Sequence, residues 1–380
     1  MVEQDIRALI RRQGRITFAE FMQRCLYSPR GGFFASRNKR ISAHFGTAPS
    51  SHPAFGALIA RQLAQMWRLL GEPRFFYCIE VGCADGTLAK AIVHAAQHTA
   101  PHFAQALYYV AADYAPRWLH DATGTNEFDT AARAPIQRVK AEGVRAFRNV
   151  VGCVLCNELI DNFSVHQFVI EGGQAKEVFV TVAQDRFTEV LDAPSTPLIQ
   201  ARLDELGLTL PDGYRGAVNL AMADWLAQLS VSIERGFVLT IDYGELAADL
   251  YASANSGGTL VCYREHEAGK DPYQRLGQQD ITALVDFTAL MRLGEQHGLT
   301  TVGYTRQSEF LANLGFSSFV DALEQQDLSA ARKTLARMAL LSLVDPEQYG
   351  DFKVLAQAKG IALDETLLGF TPTPPSSDVC

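Results

Sequence analysis

Residues 78–92 read CIEVGCADGTLAKAI. An apolar run ends on Glu80 and Val81, small residues fill the positions from Gly82 to Gly86, and an Ala/Leu/Ile-rich segment follows. The run predicts a buried strand and the last segment a helix. The small residues between them predict a tight corner whose backbone can come close to a ligand, because Gly and Ala leave room that larger side chains would fill. A dinucleotide corner reads G-x-G-x-x-G. Here Gly82 and Gly86 stand four apart and Ala84 takes the middle small position, so the pyrophosphate pattern is incomplete.

Working outward, ALYYVAAD (106–113) is a second buried strand closing on Asp113, and VVGCVLCNE (150–158) is a third closing on Asn157 and Glu158. GFVLTIDYG (236–244) and DFKVLAQAKG (351–360) are later strands of the same kind. Apolar strands separated by helices predict a doubly wound α/β fold with a parallel sheet covered on both faces. In such sheets ligands sit outside the carboxyl ends of the strands, and an acid at the end of the second strand binds ribose hydroxyls. Asp113 has that position, with an alternative role as the cap of the helix opening at APRWL. Asn157 and Glu158 fall at the carboxyl end of a central strand, where uncompensated polar groups are costly. Asp242 and Tyr243 close a further strand near the same cleft.

The bulk composition agrees with a folded enzyme-sized chain. It has 380 residues, 48% hydrophobic and 20% charged, with a formal net charge of −8. A net acidic chain argues against non-specific nucleic-acid binding. The N-terminal segment lacks the apolar core of a secretory signal, and no apolar run reaches membrane-spanning length. The expectation is a soluble cytoplasmic protein. Seven cysteines at scattered spacings do not form a disulfide framework. Cys153-x-x-Cys156 lies inside a strand, where residues three apart point to opposite faces, so both read as core residues and no metal is expected.

The coarse division is a helical segment and substrate-side loop at 1–72, a sheet core at 73–300, a helical cap with the final core strand at 301–370, and a mobile Pro/Ser-rich tail at 371–380. An insertion at about 165–235 begins with a β-hairpin turned by Glu171-Gly172-Gly173. GQQDITALVDF could line an acceptor site, with Asp280 equally placed to cap a helix over ITALVDFTALM.

Taken together, these segments resemble the MidA-like class I S-adenosylmethionine (SAM)-dependent methyltransferases, relatives of the mitochondrial arginine methyltransferase of complex I assembly. IEVGCADGTLAKAI resembles the family's E-x-G-x-G-x-G-T-L turn. NELIDNFSVHQF is similar to its N-E-F-F-D-A-L-P-V-H segment, and ITFAEFMQRCLYSPRGGFF to its opening helix and P-x-x-G-aromatic-aromatic turn. IDYGE, GTLVCYREH and GDFKVL follow in family order. The resemblance implies a Rossmann-like methyltransferase fold and SAM as cofactor. It implies that Glu80, Gly82, Gly86, Asp113 and Asn157 surround the cofactor, with Cys83, Tyr114 and Thr47 beside them on the same segments. The chain is a divergent member: HFGTAPS (44–50) stands where the family has D-F-x-T-S-P-E, so both acids are absent, and Ser164 replaces a proline.

Methyl transfer from a sulfonium is an in-line displacement, served by alignment and exclusion of water. A base is needed only if the acceptor starts protonated. Glu158 and Asp161 are candidates to orient a guanidinium. His166, and more weakly His44 and His52, could serve a neutral hydroxyl or amine. The expected function is methyl transfer to an O or N acceptor on a small molecule or a protein side chain, from a chain that could form a homodimer. The alternatives are a SAM-binding assembly module without turnover and, ranked last, a NAD-type oxidoreductase, for which a second Gly-rich fingerprint is missing.

Overall fold

The computed structural model describes residues 1–35, 47–114, 136–252, 259–264, 267–269 and 271–370. His44, the helix expected after Asp113 and the tail at 371–380 lie outside the described residues. The chain divides into two compact units, one of residues 46–158, 226–243 and 294–380, the other of 1–45, 159–225 and 244–293.

The first unit is built on seven strands: β1 Phe76–Val81, β2 Leu107–Asp113, β3 Gln137–Lys140, β4 Val150–Asn157, β5 Ile233–Asp242, β6 Thr300–Arg306 and β7 Lys353–Lys359. Their order across the sheet is β6-β7-β5-β4-β1-β2-β3. The pairings among β1 to β5 are parallel. Strand β7 runs antiparallel to both β5 and β6. The expectation of uniformly parallel strands therefore fails at one edge. An apolar strand pattern specifies burial but carries no information about direction.

Burial explains the composition of these strands. Ile79, Leu155, Leu239 and Val354 are almost wholly shielded, as are Phe55, Ile92 and Phe103 from the covering helices. Each such side chain contributes roughly 1.5–3 kcal/mol of transfer free energy. Helix Ala54–Leu69 packs on helix Thr87–Thr99 with unusual closeness at Gly56. A Cβ there would lie 2.5 Å from Ala91 Cβ, so only glycine permits the crossing. Cys153 and Cys156 are free and buried, as core cysteines. Helices Gln307–Asn313, Ser317–Glu324 and Ala330–Leu341 occupy the stretch read as helical.

Strand β6, TTVGYTR, carries no fully apolar run and is half-exposed along its length, so the search for buried strands passes over it. Its β-branched threonines and valine were the available signal.

The second unit holds a five-stranded antiparallel sheet, with His166–Glu171 and Gln174–Ala183 forming the expected hairpin. Three further strands join it: Ile16–Thr17, Arg186–Asp192 and Arg215–Val218. A smaller sheet pairs Leu260–Arg264 with Asp280–Ala283. Asp280 thus opens a strand and caps no helix. Helix Phe287–Gln296 begins later, and Asp286 caps it, its Oδ1 accepting from Ala289 N at 2.9 Å. Helix Phe18–Tyr27 starts on Thr17, whose hydroxyl accepts from Glu20 N at 3.1 Å, a standard N-cap.

Candidate active site

The corner after β1 is held by backbone bonds. Gly82 N and Cys83 N both donate to Ala112 O on β2, at 2.9 and 3.3 Å, and Gly86 N donates to Cys83 O at 2.8 Å. Gly82, Ala84 and Gly86 all have left-handed φ, at 77°, 46° and 76°. Two of the three are glycines because L side chains pay for that region; Ala84 occupies it with a methyl group in place. Its N–H donates to Asp113 Oδ2 at 3.1 Å. The acid at the end of the second strand therefore braces the turn directly.

Glu80 lies beneath the turn and is 4% exposed. Tyr109 donates its hydroxyl to Glu80 Oε2 at 2.9 Å, an assignment that fits a phenol against a carboxyl. Burial pushes the Glu80 carboxyl up to about 8, the tyrosine opposes the rise, and the charges of Asp113 and Asp85 add to it. A cation brought beside this group would favour its ionised form.

Register sets the rest of the edge. Val81 of β1 is opposite Ala112 of β2 and Cys156 of β4; Asn157 of β4 is opposite Ile241 of β5; Asp242 of β5 is opposite Lys353 of β7. Along one sheet edge the order is Asp113, the glycine turn, Asn157 and Glu158, Asp242 and Tyr243, then Phe352 and Lys353. Glu158 leaves β4 with φ 51°, a strained value for a non-glycine, and its N–H donates to Ile241 O at 2.9 Å. Asn157 Nδ2 donates to Glu158 Oε1 at 3.0 Å. Asn157 Oδ1 is buried and has no hydrogen-bond partner among the described residues. A buried acceptor left unsatisfied is costly, so this carbonyl fits a donor from a ligand.

These features suit SAM. A Cβ built on Gly86 would meet nothing within 4 Å, which leaves the turn open on that side. The buried Asn157 carbonyl could accept from an ammonium, and the Asp113 carboxylate, beside the turn, could accept from ribose hydroxyls.

A model of the family described as "S-adenosyl-L-methionine-dependent methyltransferase" matches residues 58–305. The chain belongs to this methyltransferase family. It is 26% identical to the "Protein arginine methyltransferase NDUFAF7 homolog, mitochondrial" of Drosophila melanogaster over 384 residues, covering 94% of this chain and 84% of the relative. The human protein arginine methyltransferase NDUFAF7 is 24% identical over 371 residues, covering 90% and 79%. A solved superfamily member from Burkholderia thailandensis, bound to S-adenosyl-homocysteine, superposes with a TM-score of 0.84 at 28% identity, over 97% of this chain and 94% of that one. This methyltransferase thus has the class I fold and uses SAM as its cofactor. No helix among its described residues is long and apolar enough to cross a membrane.

The other expected site residues have varied settings in the methyltransferase. Cys83 is 4% exposed, its thiol pushed up chiefly by burial, so its backbone faces the turn while its side chain packs in the core. Tyr114 is 37% exposed directly after Asp113. Thr47 precedes the short helix Ala48–Ser51, and its N–H donates to Ser50 Oγ at 2.9 Å. T-x-x-E is a capping-box pattern. The serine at position 50 makes the reciprocal bond expected of the family's glutamate, which gives that lost acid a structural reading. His52 Nδ1 accepts from Ala54 N at 3.1 Å, and burial lowers its pKa.

Asp161 and His166 belong to the second unit. Asp161 is 3% exposed in the turn Ile160–Asn162. His166 Nδ1 lies 2.7 Å from Glu177 Oε1, and Glu177, fully buried, also accepts from Ser195 N at 2.5 Å. Sequence reading missed Glu177, Tyr109 and Tyr349. Glu177 follows Lys176 in QAKEVFVTVA and Tyr109 follows Tyr108 in LYYVAAD, so neither stands out locally as the buried polar position. Burial pushes the Tyr349 phenol up, its hydrogen bond to Ser51 opposes this, and the Glu158 charge adds to the rise.

Proposed function

We propose that this methyltransferase methylates a guanidinium nitrogen of arginine on a partner protein. The observation that carries the reading is Glu158, a carboxylate at the centre of the ligand-binding edge and bonded to the Asn157 amide at 3.0 Å. The names of the relatives, protein arginine methyltransferases from fly and human, support it.

Bound SAM would supply an electrophilic methyl group on a sulfonium. In the proposed site the backbone from Gly82 to Gly86 would hold it, Asp113 would accept from its ribose hydroxyls, and the Asn157 carbonyl and Glu80 would bind its ammonium. Glu158 would pair with the planar acceptor cation and take the proton its nitrogen loses as the N–C bond forms and the S–C bond breaks, the sulfur leaving as a neutral thioether. Such a pairing is charge-assisted and sets orientation as well as affinity. Asp161 and His166, the latter held by Glu177, are proposed as acceptor-binding residues of the second unit.

A reducing, soluble compartment such as a cytoplasm is supported by six free, buried cysteines among the described residues. A homodimer is proposed from the apolar face that Leu335, Met338 and Leu341 leave exposed on helix Ala330–Leu341. Ultracentrifugation tests it.

The function is tested with full-length protein and radiolabelled SAM against a cell extract. Labelled methylarginine in the acid hydrolysate of a defined protein is expected. Label recovered only in small molecules or in other side chains would overturn the arginine assignment.

A further inference from the structure

Three aromatic residues lie at the β5–β7 end of the edge that begins with the glycine turn. Tyr243 and Phe352 have ring centroids 5.4 Å apart at 49°, and Tyr349 and Phe352 5.7 Å apart at 82°. Phe352 thus touches both tyrosines, tilted against Tyr243 and edge-on to Tyr349. The register explains the assembly. Asp242 and Lys353 are paired across antiparallel strands, so Tyr243 leaves the sheet as Phe352 enters it, at the same end. Tyr349 approaches through the turn that closes with Phe352 N donating to Tyr349 O at 3.1 Å. All three rings are half-buried, so each retains exposed surface. Tyr349 also packs against the main core, and the partly exposed rings leave aromatic surface at this end of the sheet.

The neighbouring carboxylate gives the wall a direction. Glu158 follows β4 directly, and its N–H donates to Ile241 O of β5 at 2.9 Å, beside the strand that ends before Tyr243. The cofactor turn is on the opposite flank of Glu158, on β1. A planar cation paired with Glu158 therefore has aromatic faces available on the side away from the turn.

We propose that Tyr349, Phe352 and Tyr243 are the specificity-determining wall for the methyl acceptor, stacking on a planar cation while Glu158 pairs with it. The assignment rests on the proposed arginine methylation and adds to it the residues that select a delocalised cation over a neutral amide of the same shape. Aromatic faces attract cations through the ring quadrupole, most strongly when water is excluded. A neutral isostere keeps the stacking area and loses both charge-dependent contacts.

The test is calorimetry on the full-length protein with ethylguanidinium and its neutral isostere N-ethylurea, with and without saturating S-adenosyl-homocysteine. The expected result is guanidinium binding at least tenfold tighter than urea binding. Tyr349→Leu and Phe352→Leu should each cut that ratio by roughly threefold to thirtyfold, the range of a single cation–π contact. Tyr349→Phe should restore most of it, and affinity for S-adenosyl-homocysteine should stay within threefold of the parent in all three variants, which also reports that they fold. Equal binding of the two probes, or a ratio unmoved by both leucine variants, overturns the wall. Loss of S-adenosyl-homocysteine binding in the parent protein would instead overturn the methyl-transfer reading, and the ratio measured without it still decides the wall.

Discussion

The backbone N–H of Ala84 donates to the carboxylate of Asp113 at 3.1 Å, joining the glycine turn after β1 to the end of β2. One contact serves two purposes. It satisfies a turn amide and it holds the acid where a nucleoside ligand would meet it.

Removing that acceptor should therefore damage both stability and binding. Asp113→Ala is expected to cost about 1.5–3 kcal/mol, the range for hydrogen bonds to charged groups. It should also weaken S-adenosyl-homocysteine at least tenfold by calorimetry. Asp113→Asn keeps an oxygen in place and should recover much of the stability but little of the affinity. Unchanged affinity in both variants would remove Asp113 from the cofactor site.

Ala84 is strained, with φ 46°. Left-handed backbone costs a non-glycine roughly 1–2 kcal/mol, while glycine adds about 0.5–1 kcal/mol of unfolded-state entropy. Ala84→Gly should thus stabilise the protein by about 0.5–1 kcal/mol in chemical denaturation without weakening the cofactor. Ala84→Val, β-branched and bulkier, should destabilise it and abolish binding.

The buried Glu80 predicts a pH dependence. Its carboxyl is raised from 4.5 to about 8 in the folded chain. Between those values the folded state holds a proton the unfolded state has released, so stability contributed by Glu80 is full below pH 4.5 and declines as pH rises to about 8. Glu80→Gln should flatten that slope in denaturation midpoints measured at pH 5.5 and 8.5. A cation bound beside Glu80 would expel the proton. S-adenosylmethionine affinity should therefore rise with pH to about 8, with proton release seen as a buffer-dependent calorimetric heat, and the variant should lose that dependence. An unchanged heat across buffers would place the ammonium away from Glu80.

Glu177 has the opposite sign. Burial alone would raise it, but His166 and Ser195 together bring it below the ordinary 4.5. Its contribution is present above pH 4.5 and lost as the pH falls through its lowered value. Glu177→Gln should cost about 1–3 kcal/mol at pH 7, with the penalty shrinking in acid.

The pattern of CIEVGCADGTLAKAI, with Asp113 and Asn157 each ending an apolar strand, was enough to read a doubly wound sheet and a turn for a nucleoside-type cofactor. That information is local: periodicity reports burial, and glycine spacing reports left-handed backbone. Direction, register and partner choice are not local. The reversal of β7, the strand at Thr300–Arg306 and the replacement of the Asp280 cap by Asp286 all depended on which segments pair across long loops. Register alone brings Tyr243 and Phe352 together, although they are more than a hundred residues apart in the chain. Strand pairing also joins Glu80 to Tyr109 and His166 to Glu177, over the shorter separations of 29 and 11 residues. Each buried polar group needed a partner, but the sequence could not name it, because satisfaction of a buried charge is a property of the assembled neighbourhood and not of the residue that carries it.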